Sequence, residues 1–294
     1  MANMVLVEPL GYLDFLCRGN TTEGTMLFEN SGPPSWNFTE VSDAKGIDGR
    51  GYCSWADIDN DGDLDFVQMD WNQWIYRNQG PPDYDFVNIT PTAMWDCDGA
   101  LSEGAGWGDY DGDGYVDLYL TSWLSPSGLN SWPNCGMPDH LWHNEGGTTF
   151  TDATAAAGVQ TTTSHASMGC VWADFDDDGD QDIYVNNYHI NPNFLWENQG
   201  DGTFVNTMVD HNVTGNEDHY GGSGPYYGHS AASGWGDWNN DGFMDLFVAN
   251  LAHKDSEQYG GGGRGYFCDD SMIYVSSGPP HDHYTNVRPS TGIP

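Results

Sequence analysis

Basic residues are scarce: Lys and Arg total 7 in 294 residues, against 44 Asp and Glu, for a formal charge of −37. Such a chain offers a phosphate backbone almost nothing, and its field repels nucleic acid and anionic membrane surfaces. Long apolar runs are also missing, so no stretch reaches the roughly 20 residues of a membrane-spanning helix. Met1 to Gly11 contains no basic residue and is interrupted by Glu8 and Pro9, which makes it a poor secretory signal. A secreted chain would have lost its signal already or carry it outside this sequence. Helical periodicity is absent beyond a turn around Thr154 to Ala157. Cysteines number six, an even count that permits disulfides without requiring them. Glycine (39) and aromatic residues (14%) are plentiful. This is no disordered acidic tail; it can build one large core or two small ones.

The acids are not scattered. Asp57, Asp59, Asp61 and Asp65 occupy positions 1, 3, 5 and 9 of a nine-residue run with Gly62 at position 6. Side chains spaced by two along a tight loop converge, and converging carboxylates repel unless a cation joins them. Position 7, here Asp63, can add a backbone carbonyl. The pattern is the first part of an EF-hand-like loop, an all-oxygen donor set suited to calcium. The usual Glu at position 12 is replaced by Gln68, so Asp65 is expected to ligate directly.

One such run could be a solvated acidic turn, but the chain carries four in register. The second is Asp109, Asp111, Asp113 and Asp117, with Gly114 at position 6 and Tyr115 at position 7. The third is Asp174, Asp176, Asp178 and Asp182, with Gly179 and Asp180; the fourth is Asp237, Asn239, Asp241 and Asp245, with Gly242 and Phe243. Each is preceded by a tryptophan (Trp55, Trp107, Trp172, Trp235) and followed by a β-rich run. About four calcium ions are therefore expected.

A second signature recurs five times: an aliphatic–aromatic pair, one residue, then Asn or Ser with glycine two residues on. It starts at Leu27, Ile75, Leu141, Leu195 and Ile273, and a further aromatic (Phe38, Phe86, Phe150, Phe204, Tyr284) opens the next strand. The unit reads as strand, acidic loop, strand, variable loop, strand, turn, strand. Four short antiparallel strands per unit describe a propeller blade, which predicts an all-β β-propeller of about five blades in one domain. The units run approximately 1–48, 49–101, 102–160, 161–213 and 214–294. The first is degenerate: Asp14 falls at position 9, but Leu6 and Leu10 replace two ligands, so no metal is expected there.

The pattern Trp-x-Asp-x-Asp-x-Asp-Gly-x-x-Asp, with the Leu195–Phe204 run Leu-Trp-x-Asn-x-Gly-Asp-Gly-Thr-Phe, resembles the FG-GAP/VCBS repeat. Within that group it is most similar to cartilage acidic protein-like and ASPIC-type propellers, and more distantly to the integrin α-chain propeller. The resemblance implies calcium loops on a propeller. Activity it leaves open, since matrix proteins, adhesion proteins, lyases and dehydratases share the scaffold.

Other residues invite chemistry. Trp71, Trp74, Trp123 and Trp132 lie outside the loop register and are candidates for an exposed contact surface. His165 and His229 precede the inner strands, and His140, His143, His281 and His283 cluster in loops, but no catalytic spacing is present. They read as surface or structural. Cys53 and Cys170 sit where other copies have Ala105 and Ser233, so they read as small buried thiols. Cys97 and Cys135 lie in loops flanking the second blade and could pair, and Cys17 and Cys268 would be neighbours in a closed ring, where a bridge could staple it. Sequons at Asn20, Asn37, Asn88 and Asn212, beside calcium loops, point to an extracellular glycoprotein.

The expectation is a calcium-binding extracellular module for adhesion, matrix contact or assembly, without catalysis. Its partner would be an extracellular protein, a glycan or itself, with no nucleic acid and no membrane insertion. Two alternatives stand beside it: a subunit polymerising into extracellular fibres, and a polysaccharide lyase or sugar dehydratase on the same scaffold. The insertions 121–139, 214–229 and 252–270 are the expected contact regions.

Overall fold

The computed structural model describes residues 2–5, 12–18, 24–49, 51–70, 72–95, 102–123, 138–160, 165–188, 191–217, 226–254, 266–268, 271–278 and 283–287. It is all-β, with five four-stranded antiparallel sheets. The first holds β1 (Ala2–Val5), β2 (Asp14–Arg18), β3 (Thr25–Asn30) and β4 (Phe38–Glu40); the second holds β5 (Tyr52–Ala56), β6 (Asp65–Met69), β7 (Gln73–Asn78) and β8 (Phe86–Asn88). The third holds β9 (Ala105–Gly108), β10 (Asp117–Leu120), β11 (His140–Asn144) and β12 (Phe150–Asp152). The fourth holds β13 (Ala166–Ala173), β14 (Asp182–Tyr188), β15 (Phe194–Asn198) and β16 (Phe204–Asn206). A small hairpin of β17 (Asn216–Glu217) and β18 (Tyr226–Tyr227) precedes β19 (Ser230–Gly236) and β20 (Asp245–Asn250). A second hairpin, β21 (Ala252–Lys254) with β22 (Tyr266–Cys268), interrupts the fifth sheet before β23 (Met272–Ser276) and β24 (Tyr284–Asn286).

Each sheet is a meander, and an acidic loop joins the first and second strands of the last four. Residues 154–158 form the expected turn. The short helix α1, Thr92–Trp95, follows Pro91 and was not legible, because four residues are too few to show a period.

Alternation along the strands gives every sheet two apolar faces. The back face of the second sheet (Phe66, Tyr76, Phe86, Trp55) packs on Leu16, Leu27 and Ile47 of the first unit. Its front face (Val67, Ile75, with Ile58 from the loop) packs on Leu118, Trp142 and Phe150 of the third sheet. The same positions recur between the third and fourth sheets, where Tyr119 and Leu141 meet Ile183, Trp196 and Phe204. They recur again between the fourth and fifth, where Tyr184, Leu195 and Phe175 meet Leu246, Tyr274 and Tyr284. Fully burying each such side chain contributes about 1.5–3 kcal/mol, so these interfaces supply most of the core. Among the described residues, no apolar cluster joins the fifth sheet to the first.

The register tryptophans are half-buried packing residues, as expected: Trp55 lies 4.8 Å from Phe66, and Trp235 6.1 Å from Tyr284. Trp74 and Trp123 are not the exposed residues anticipated. Trp74 is packed against the core between the first two sheets, and Trp123 stands edge-on to Tyr188 at 6.1 Å. Trp71 and Trp132 lie outside the described residues. Cys53 and Cys170 are free thiols, and burial pushes the Cys53 thiol up to about 12. Cys17 is also free, which removes the proposed bridge to Cys268. Cys97 and Cys135 lie outside the described residues.

Candidate metal centres

The four acidic loops share one backbone geometry. Position 6 is left-handed in each, with φ 93° at Gly62 and Gly114, 99° at Gly179 and 95° at Gly242. Only glycine takes this conformation without strain. Position 4 is left-handed too: Asn60, Gly112, Asp177 and Asn240, residue types that tolerate it.

The carboxylates hold the loop from inside. Position 1 accepts from the backbone N–H groups of positions 5 and 6: Asp57 takes Asp61 at 3.1 Å and Gly62 at 3.0 Å. Asp109, Asp174 and Asp237 repeat the pair. Position 5 accepts from the N–H of position 7, as Asp61 does from Asp63 at 2.9 Å. These bonds leave the remaining lone pairs aimed at a common point. Oxygens of Asp57, Asp59 and Asp61 lie within 4.8 Å of one another, as do those of Asp109, Asp111 and Asp117, and of Asp174, Asp176 and Asp182. The fourth loop is not among these trios. Its Asn239 accepts from the Asp241 N–H at 2.8 Å and donates through its amide to the Asp241 carboxylate at 2.9 Å, so its side chain would have to turn to present oxygen to an ion.

Position 9 does more than its expected ligand role. Asp65 is fully buried and accepts from Ile58 N–H at 2.9 Å and Asn78 N–H at 2.7 Å, tying the loop to the third strand. Asp117, Asp182 and Asp245 make the same two bonds. Burial pushes the carboxyls of Asp65 and Asp117 up to about 7 and that of Asp182 to about 8, although the backbone N–H bonds pull the other way. Asp14 is buried and accepts from Asn30 N–H at 2.8 Å. The degenerate unit has thus kept the strand tie without the ligand set; its Leu6, Glu8 and Leu10 lie outside the described residues.

The donor set suits a hard divalent cation: oxygens only, mostly anionic, on a rigid loop. Asp59 and Asp176 each hold a buried Oδ1 that has no hydrogen-bond partner. A buried anionic oxygen without a donor is costly, and a cation at the convergence point removes the cost.

Three further residues act on these loops, and of them the sequence singled out only His143. The residue before the Asn or Ser of the third strand faces position 3. Arg77 Nε lies 3.8 Å from Asp59, and His143 Nδ1 lies 3.4 Å from Asp111 and 3.1 Å from Asp117. Burial first, and then the charges of Asp178 and Glu197, push the Asp176 carboxyl up, and Val275 holds the same sequence position in the fifth sheet. His143 is therefore part of the second loop's surroundings and not a surface residue. His229 is buried against Tyr188 and His165 packs on Phe194, both structural as expected. His283 is exposed, and His281 lies outside the described residues.

Loops also touch between units. Asn144 donates through its amide to the Ile58 carbonyl at 2.8 Å, and Asn198 to that of Tyr110 at 2.8 Å. Asn60 returns a bond to Gly114 at 2.9 Å. Asn37, Asn88 and Asn212 are exposed, and Asn20 lies outside the described residues. Most of 121–139, 214–229 and 252–270 is also outside them.

No curated protein matches the chain. Among solved structures it is similar to a lectin from Agrocybe aegerita that recognises non-reducing terminal N-acetylglucosamine, at 15% identity. That similarity covers 97% of this chain and 78% of the lectin, with a TM-score of 0.41. It is also similar to the V. cholerae biofilm matrix protein Bap1, at 14% identity, covering 97% of this chain and 38% of that one, with a TM-score of 0.46. No helix is long and apolar enough to cross a membrane among the described residues. A closer likeness to cartilage acidic protein or integrin propellers rests on the motif alone. What is shared is the repeat: the family model for the FG-GAP-like repeat matches residues 130–185 and 174–248, which hold the third and fourth acidic loops and the whole fourth unit.

Proposed function

We propose that the chain is a calcium-binding module of β-propeller type from an extracellular glycoprotein, serving adhesion, matrix contact or assembly without catalysis. The observation that carries the calcium reading is the convergence of three carboxylates in each of three loops of one backbone geometry. Asp57, Asp59, Asp61 and Asp65 would hold the first ion, and Asp109, Asp111, Asp113 and Asp117 the second. Asp174, Asp176, Asp178 and Asp182 would hold the third. Asp237, Asn239, Asp241 and Asp245 would hold a fourth after the amide turns. The carbonyls of Asp63, Tyr115, Asp180 and Phe243 stand at position 7 of each set. Bound calcium supplies positive charge that offsets the repulsion among the carboxylates, so folding and binding are linked. Four ions would leave the formal charge at −29, still strongly acidic.

The propeller reading is supported by the succession of meanders packed front to back. Exposed sequons at Asn37, Asn88 and Asn212 fit a secretory route. The non-catalytic reading is supported by what recurs in register: loop carboxylates, packing aromatics and turn residues. Chelation tests the proposal. Thermal melting with calcium and with excess chelator should differ widely, and chelated protein should become open to protease. Curves that superimpose would contradict it.

A further inference from the structure

The second acidic loop differs from the other three in the side chain that the third strand brings to it. Just before the Asn or Ser that ends this strand stand Arg77, His143, Glu197 and Val275 in the last four units. A guanidinium has no lone pair for a cation, a carboxylate adds one more oxygen, and valine adds nothing. Imidazole adds a nitrogen. His143 Nδ1 lies 3.4 Å from Asp111 Oδ2 and 3.1 Å from Asp117 Oδ1. Ligand atoms of Asp111, Asp113 and His143 fall within 4.8 Å of one another, and this trio shares Asp111 with the all-oxygen trio Asp109, Asp111 and Asp117. The imidazole is held in place. Its strand pairs with β12 through Thr151, and the next residue, Asn144, gives its N–H to Asp117 at 2.8 Å. The Tyr110 ring stands edge-on to it, with centroids 6.0 Å apart. An independent mark of a cation lies at position 3, where Asp59 and Asp176 each keep a buried oxygen with no hydrogen-bond partner. Asp111 holds that position here, and its Oδ2 is an oxygen the imidazole faces.

We infer that the second loop is a mixed nitrogen–oxygen site for a divalent transition cation such as zinc, with His143 Nδ1 and the carboxylates of Asp111, Asp113 and Asp117 as its protein donors. This rests on the reading of the acidic loops as cation sites. Imidazole nitrogen suits zinc, copper and nickel, whereas calcium takes oxygen donors. Donors about 2.0–2.2 Å from one zinc ion stand roughly 3–3.5 Å apart. Those separations already exist between His143 Nδ1 and its two carboxylate oxygens. When Nδ1 carries a proton it donates to these oxygens, and an ion that takes its lone pair takes that proton's place. Calcium still binds through the oxygens when it is the only cation present, so the two metals compete for one loop. The first, third and fourth loops have no nitrogen lone pair at the matching position and keep calcium.

Zinc added to the calcium-loaded whole chain tests it, with both metals counted after dialysis and the zinc ligands read by X-ray absorption. The wild type should take up one zinc with an imidazole signature and release one of its calcium ions. His143→Gln returns the loop to oxygen donors, so it should keep all its calcium and lose about tenfold or more in zinc affinity. Arg77→His places an imidazole at the matching position of the first loop and should add a second zinc. Melting in calcium checks that each variant is folded. Zinc uptake that leaves every calcium in place, persists unchanged in His143→Gln, or is no greater in Arg77→His would overturn the inference while leaving the calcium reading intact. A wild type that binds no calcium at all would overturn that reading, and this inference with it.

Discussion

At the scale of single residues, the buried position-9 aspartate separates structure from ligation. Asp14 and Asp182 make the same bond to the third strand, but only Asp182 sits in a converging trio. Hydrogen bonds to a charged acceptor contribute about 1.5–3 kcal/mol each. Asp14→Ala should therefore lower the melting temperature while leaving calcium stoichiometry unchanged, whereas Asp182→Ala should lower both. A loss of one ion in Asp14→Ala, read by equilibrium dialysis, would show that the first loop binds after all. The residue facing position 3 should grade the sites, because a neighbouring charge acts directly on a bound cation. Arg77→Gln should tighten the first site several-fold and Glu197→Gln should loosen the third. Calcium titrations in which neither variant moves would mean that solvent screens these charges completely. The sequence revealed the candidate ligands because they repeat. It hid the role of Arg77 and Glu197, and left His143 as one of several loop histidines, because their shared position carries a different charge in each unit.

Between elements, the interfaces combine apolar alternation with a few buried polar ties. Asp139, buried between the third and fourth sheets, accepts from Ser122 N–H at 2.8 Å, Ser167 Oγ at 2.9 Å and Tyr119 OH at 3.1 Å. Ser167 Oγ also lies 2.8 Å from Asn187 Oδ1, and one hydroxyl proton cannot serve both acceptors. A proton on Asp139 resolves this. Burial holds its carboxyl up at about 7, and the neighbouring ionisable groups, Tyr119 and Cys170, are neutral in this range. The unfolded chain releases that proton near pH 4. Folding thus takes up a proton between about pH 4 and 7, and stability falls as pH rises through that window. Asp139→Asn, melted in saturating calcium, should flatten this part of the profile; an unchanged slope would assign the titration elsewhere. Gly147 has φ 77°, and an added Cβ would lie 2.2 Å from Asp59 Cβ in the preceding unit's loop. Gly147→Ala should cost more than the about 1 kcal/mol of a typical substitution and disturb the first acidic loop. The sequence gives no sign of this second glycine's role, since the contact joins residues 88 positions apart.

For the whole molecule, strand number, loop placement and sheet order were legible because one unit is written five times. Asp57 to Asp65 and Leu195 to Phe204 each announce an element by residue type and spacing. Closure was not legible. The proposed Cys17–Cys268 staple failed for this reason: it presumed neighbours that a sequence pattern alone does not establish. As proposed, the acidic loops are calcium sites on which the fold depends. Isothermal titration of calcium into chelator-stripped protein, with melting followed on the same samples, tests it most directly. About four ions per chain should bind, the melting temperature should climb as they do, and Asp178→Ala should lose one ion, with a smaller effect in Asn239→Ala. Absence of saturable binding, or a melting temperature indifferent to calcium, would contradict it.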